Sequence, residues 1–178
     1  MIRVFTNHLL IILIIPVRED TNRGEVDIEV LPDFFGLDFE ICTTDFVVDE
    51  IKHYEQAEQI QNFIRSEKLT VFSFSSEELD QVATIKTKRN LRRIADKSVL
   101  WKAKQLECRL LTGDKNLRCE AEESGLVVNG SIWVVRMLVE SNMVTTYEGI
   151  ELLEKLKTVN NNLPVDEIEK LIKKWKMQ

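Results

Sequence analysis

Residues 10–17, LIILIIPV, restrict the fold more than any other stretch of the chain. An unbroken Leu/Ile run without polar alternation suits a strand covered on both faces, and such strands belong to parallel sheets flanked by helices. The run is far shorter than the ~20 residues that cross a bilayer. Pro16-Val17-Arg18-Glu19-Asp20 also offers no small-residue cleavage site, so neither a membrane span nor a leader peptide is expected.

The rest of the chain alternates strand and helix signals. Phe34, Phe35 and Leu37 lead into a short strand over 39–42, and Thr43, Thr44 and Asp45 follow as N-cap residues. Val47, Ile51, Tyr54, Ile60 and Phe63 recur at near-helical spacing and predict one helix over about 46–65. The alternating segment 69–74 reads as a third strand, and Ser75-Ser76-Glu77-Glu78 opens a helix with hydroxyl caps and first-turn acids. Ala95, Val99, Ala103 and Leu106 mark a helix running into the expected central strand at 109–111. A helix over 115–124 then stops at Gly125, and 126–128 is the last strand. Helices follow over 132–139 and 150–156, and Pro164 opens a final one reaching Trp175. Right-handed crossovers make this an α/β chain, a three-layer α/β/α sandwich around a central, mainly parallel sheet. With 178 residues, one domain over 1–178 is expected, 143–178 forming a C-terminal helical extension. The apolar segment Ile132-Trp133-Val134-Val135 could serve homodimerisation, although burial on the protein's own sheet explains it more simply.

Composition narrows the chemistry. A net charge of −6, from 24 basic and 30 acidic residues, is a poor match for a general nucleic-acid coat, whose affinity comes from neutralising phosphates. A local basic patch is compatible with it, and 86–93 is one: either a solvated helix end or a phosphate-contacting surface. Cys42, Cys108 and Cys119 contain no CxxC pair and read as reduced thiols of a cytoplasmic protein. His8 and His53 are too few for a histidine metal site, so any metal would be held by oxygen, which favours Mg²⁺ or Mn²⁺.

Four acids draw attention because of where they fall. Asp20 follows the first strand as Asp114 follows the fourth, and ligands of open parallel sheets bind outside the carboxyl ends of the strands. Glu50 and Asp96 lie at the starts of helices, and Asp49 is as plausible as Glu50 on local grounds. Singly, each has an ordinary explanation as a turn residue, a dipole partner or a cap. Together they would crowd negative charge at one rim, which raises pKa values unless a cation neutralises it. A divalent ion there can activate water and steady an in-line phosphoryl displacement. No GxGxxG, P-loop or nucleophile elbow competes with that reading.

Asp-Thr-Asn at 20–22, Val-Val-Asp-Glu-Ile at 47–51, Ala-Asp-Lys-Ser-Val-Leu at 95–100 and Leu-Leu-Thr-Gly-Asp-Lys-Asn-Leu-Arg at 110–118 occur in an order that resembles the PIN domain. The resemblance runs from about Ile11 to Asn142, and its most specific part continues through Ala121-Glu122 to Gly125-Leu126-Val127-Val128. It implies a Mg²⁺- or Mn²⁺-dependent ribonuclease, many such proteins being VapC-like toxins of toxin–antitoxin pairs. By the same resemblance Asp20, Glu50, Asp96 and Asp114 are the catalytic acids, with Asp20, Asp96 and Asp114 holding metal, and Thr112 lines the pocket. Lys115, Arg118 and the 86–93 stretch are then placed to hold the RNA backbone. RNA is the expected substrate, and an antitoxin protein or a second copy of the chain are candidate partners. Arg23-Gly24-Glu25 stands where the family has an apolar segment, which motivates an alternative: a catalytically impaired PIN-like module that binds RNA or protein.

Overall fold

A computed structural model describes residues 9–13, 30–89, 91–159 and 163–177. Five strands, β1 (Leu9–Leu13), β2 (Phe39–Thr44), β3 (Leu69–Phe72), β4 (Arg109–Leu111) and β5 (Val128–Asn129), form one sheet in the order β3-β2-β1-β4-β5. Every pairing is parallel. The apolar run at 10–17 thus supplies the central strand, the place expected for 109–111, which pairs beside it as β4; the remainder of the run, 14–17, lies outside the described residues. Ile11 pairs with Ile41 on one side and Arg109 on the other. The strand order reverses between β1 and β4, which makes the carboxyl ends of these two strands the switch point of the sheet.

The chain divides into two compact units. The first holds the sheet with α2 (Asp45–Asp49), α3 (Tyr54–Arg65), α4 (Ser76–Thr84), α5 (Ile94–Leu106) and α6 (Lys115–Glu123). α5 packs on β1, β2 and β4, and α3 packs on β3. Right-handed crossovers from a central β1 carry the connections before and after β3 over opposite faces. Ser75 and Glu78 close a reciprocal cap on α4: the Ser75 hydroxyl accepts from the Glu78 amide at 3.2 Å and the Glu78 carboxylate from the Ser75 amide at 2.8 Å. Gly125 takes φ +85° just past α6, and Leu126 donates back to the Ala121 carbonyl at 3.0 Å, the stop expected of a glycine there. Lys102 on α5 is 9% exposed. Its Nζ lies 4.9–5.1 Å from the ring centres of Trp101, Phe72 and Phe74, with the Glu78 carboxylate at 3.3 Å. The charge is therefore shared between aromatic faces and one acid.

The second unit holds α1 (Leu31–Phe34), α7 (Ser131–Glu140), α8 (Thr146–Val159) and α9 (Val165–Lys176). Ile132, Val135, Leu153, Leu156, Ile168, Ile172 and Trp175 form its core. Ile132 and Val135 therefore join a core of helices, where the sequence reading expected the sheet. Gly149 is the contact point of α8: a Cβ there would overlap the Val139 side chain and lie 3.1 Å from the Trp175 ring, so only glycine lets the helices come this close.

Three sequence expectations are corrected. The single helix over 46–65 is two helices, α2 and α3, interrupted at 50–53. Its apolar spacing breaks at Tyr54, which is 76% exposed, and Gln56 and Ile60 take over the inward stripe. α8 starts at Thr146 rather than 150, because Thr145 and Glu148 form a second reciprocal cap at 2.7 and 3.2 Å. The third strand ends at Phe72, two residues early. No helix among the described residues is long and apolar enough to cross a membrane.

Candidate functional site

At the carboxyl edge of the sheet a cavity of about 430 Å³ is lined by Arg89, Leu91, Arg92, Arg93, Asp96, Asp114 and Asn116. Asp114 enters it from the end of β4. Thr112, 2% exposed, accepts the Asp114 amide on its hydroxyl at 3.1 Å, and the Asp114 carboxylate caps α6 by accepting from the Leu117 amide at 2.8 Å. Both bonds fix the carboxylate by local turn chemistry.

Asp96 arrives on α5, in the first turn rather than at the cap, which is Arg93. A buried hydroxyl pair sets that helix against β2: Ser98 and Thr44 share a hydrogen bond of 2.8 Å, and Ser98 also donates to the Ala95 carbonyl. Glu50, at the end of α2 just beyond β2, is thereby brought near Asp96 although 46 positions separate them in number (50 and 96). Arg93 joins the two. Its Nε and Nη2 grip both oxygens of Asp96 at 3.0 and 2.9 Å, and its Nη1 reaches Glu50 at 3.5 Å. Asp49, the local alternative to Glu50, is exposed, and its carbonyl accepts from Lys52.

Residues 86–89 and 91–93 of the basic stretch are loop rather than a helix end, and α6 holds Lys88 and Arg89 down. Lys88 and Arg89 pair with Glu123, and the Arg89 amide donates to the buried Glu120 at 3.1 Å. Arg92 lines the cavity with no partner among the described residues.

A family model described as PIN domain matches residues 27–177, most of the chain. The chain belongs to the PIN domain family. A comparison with curated proteins gives no match. The PIN fold is a nuclease-type fold, generally metal-dependent and associated with RNA.

Of the acids expected to mark the PIN site, Asp96 and Asp114 share one cavity and Glu50 touches its edge through Arg93. Asp20 lies outside the described residues, and ahead of the matched region. Thr112 orients Asp114 from within the protein. Arg118 donates to the carbonyls of Thr112 and Val128 at 3.2 and 3.4 Å, which ties β4 and β5 to α6. Lys115 is exposed at the first position of α6. Sequence reasoning missed the Arg93 clamp and the Thr44–Ser98 lock. The i,i+3 spacing of Arg93 and Asp96 was the one local signal for the clamp.

Among the described residues no three Asp, Glu, His or Cys side chains gather closely enough to enclose an ion. A Mg²⁺-type ion does not need such a cage, since it keeps several waters and takes one or two protein carboxylates plus substrate phosphate. Asp96, Asp114 and the Asn116 amide offer only hard oxygen donors to one cavity, and that set fits.

Burial pushes the Asp96 carboxyl above its ordinary range; Arg93 opposes this, and Asp114 and Glu50 add to it. Between the ordinary value and the raised one, the folded protein holds a proton that the unfolded chain has released. Stability therefore falls as pH rises through that window and stays lowered above it. In EDTA at pH 7, Asp96→Asn should melt above the wild type, the difference closing as pH falls toward 4. A variant that melts lower at pH 7 would show that the Arg93 pair outweighs the burial of the charge.

Proposed function

We propose that this PIN domain is a Mg²⁺- or Mn²⁺-dependent endoribonuclease that hydrolyses RNA phosphodiester bonds, and that it is a cytoplasmic, VapC-like toxin neutralised by an antitoxin. The observation that carries the reading is the meeting of Asp96 and Asp114, from different elements, with Arg92 and Arg93 in one cavity at the sheet's switch point. Acids and guanidinium groups together suit a phosphodiester: the cations attract and place the phosphate, and the acids hold a cation and orient a water. When bound, the ion would supply Lewis acidity toward a phosphoryl oxygen.

In this reading Asp96 and Asp114 hold the ion together with Asp20, and Glu50 acts as the fourth acid at the rim. Thr112 keeps Asp114 on target. Arg92, Lys115 and the 86–93 loop lie along the RNA backbone, with Arg118 holding the strand ends that support them. The whole chain serves as one PIN-like domain, 143–178 being its helical extension, and a second copy of the chain is a candidate partner.

One observation favours a second reading, a non-catalytic module that binds RNA or protein: Arg93 already satisfies both oxygens of Asp96. Titration with Mn²⁺ separates the two. At a hundredfold excess over Kd, a ligand specific to the folded state adds about 2.7 kcal/mol, or roughly 5–10 °C of melting temperature for a chain of this size. EDTA should reverse the rise. An unchanged melting temperature at millimolar Mn²⁺ selects the module.

A further inference from the structure

Arg93 is unusual among the cations of the cavity. Arg89 is paired with Glu123 and Arg92 has no partner among the described residues, whereas Arg93 takes both oxygens of Asp96 while touching Glu50. A guanidinium presents a planar fork that matches a carboxylate bidentately, so it sits where a divalent ion bound by Asp96 would compete for the same lone pairs. The pair is lopsided in burial: the Asp96 side chain is 8% exposed and that of Arg93 49% exposed. The acid is fixed by its helix, whereas half of the arginine side chain already faces solvent.

Resting on the nuclease reading, we infer that Arg93 is a resident counter-ion of this site, and that metal uptake is an exchange in which a divalent cation displaces the guanidinium from Asp96. The charge balance follows. Without the ion, Arg93 offsets the acids of the rim and lets them stand close together. With the ion in place, the guanidinium is released beside Arg92, at the mouth of the same cavity, where it faces the phosphate of a bound RNA. One residue thus keeps the empty site folded and adds positive charge to the filled one.

The exchange predicts that removing the arginine tightens metal binding, the reverse of what a residue supporting the metal would do. Isothermal titration of the full chain with Mn²⁺, without RNA, reads this directly. Arg93→Met, which keeps the aliphatic stem, should bind Mn²⁺ at least tenfold more tightly than the wild type. Arg93→Lys, a point charge that cannot grip both oxygens, should fall between. In EDTA the Met variant should melt below the wild type, because the acids have lost their partner. Wild-type binding of Mn²⁺ with equal or weaker affinity in both variants overturns the exchange and leaves the nuclease reading standing. Absence of Mn²⁺ binding by all three proteins removes the nuclease reading and the exchange together.

Discussion

Asp114→Asn should reduce RNA cleavage by at least about 10²–10³-fold, the loss that follows removal of one strong electrostatic contributor to a transition state, while the melting temperature of the metal-free protein barely moves. The two halves of this expectation have separate causes. The Asp114 carboxylate caps α6 through the Leu117 amide at 2.8 Å, and asparagine caps helices about as well as aspartate. Its amide also stays bonded to the Thr112 hydroxyl. What the substitution removes is one negative charge from a cavity already holding Arg89, Arg92 and Arg93. The check is cleavage of a labelled RNA in Mn²⁺ by cleanly purified protein, with a thermal melt alongside. Undiminished cleavage would show that Asp114 is only a cap.

The largest effect on stability is expected far along the chain, at Trp175. This residue is 6% exposed in the core of α7, α8 and α9, and its ring lies against Gly149, where a methyl group would stand 3.1 Å away. Trp175→Ala leaves a void between helices that glycine has already brought as close as they can come, so little collapse is available to fill it. Truncations of this kind cost about 3–5 kcal/mol, or roughly 6–20 °C in a chain of this length. Thermal unfolding followed by circular dichroism tests it. A fall of less than about 2 °C would mean that the packing around Gly149 does not support the unit.

What the sequence made legible is chemistry confined to a few neighbouring residues. The Leu/Ile strand, the Ser75–Glu78 cap, the Gly125 stop and the position of Asp114 beyond β4 all follow from local patterns, and the structure contains each of them. The break between α2 and α3 was hidden because Ile51 keeps helical spacing with Val47 across it, and only the exposure of Tyr54 reveals the change of stripe. The bridge from Glu50 through Arg93 to Asp96 was beyond a local reading, since it depends on the Thr44–Ser98 bond between two distant segments. The acids could be suspected from their positions, but the guanidinium placed among them is a product of tertiary structure.

The place of β1 also bears on how the protein is made. This strand is synthesised before both of its neighbours, and one of them, β4, follows about a hundred residues later; pairings that distant are slow to close. Until then a segment rich in leucine and isoleucine waits with one edge open, the condition under which strands join foreign chains instead. Output of native protein should accordingly depend on translation speed and on chaperones that shield β1 until β4 is made, more than on the final stability of the fold.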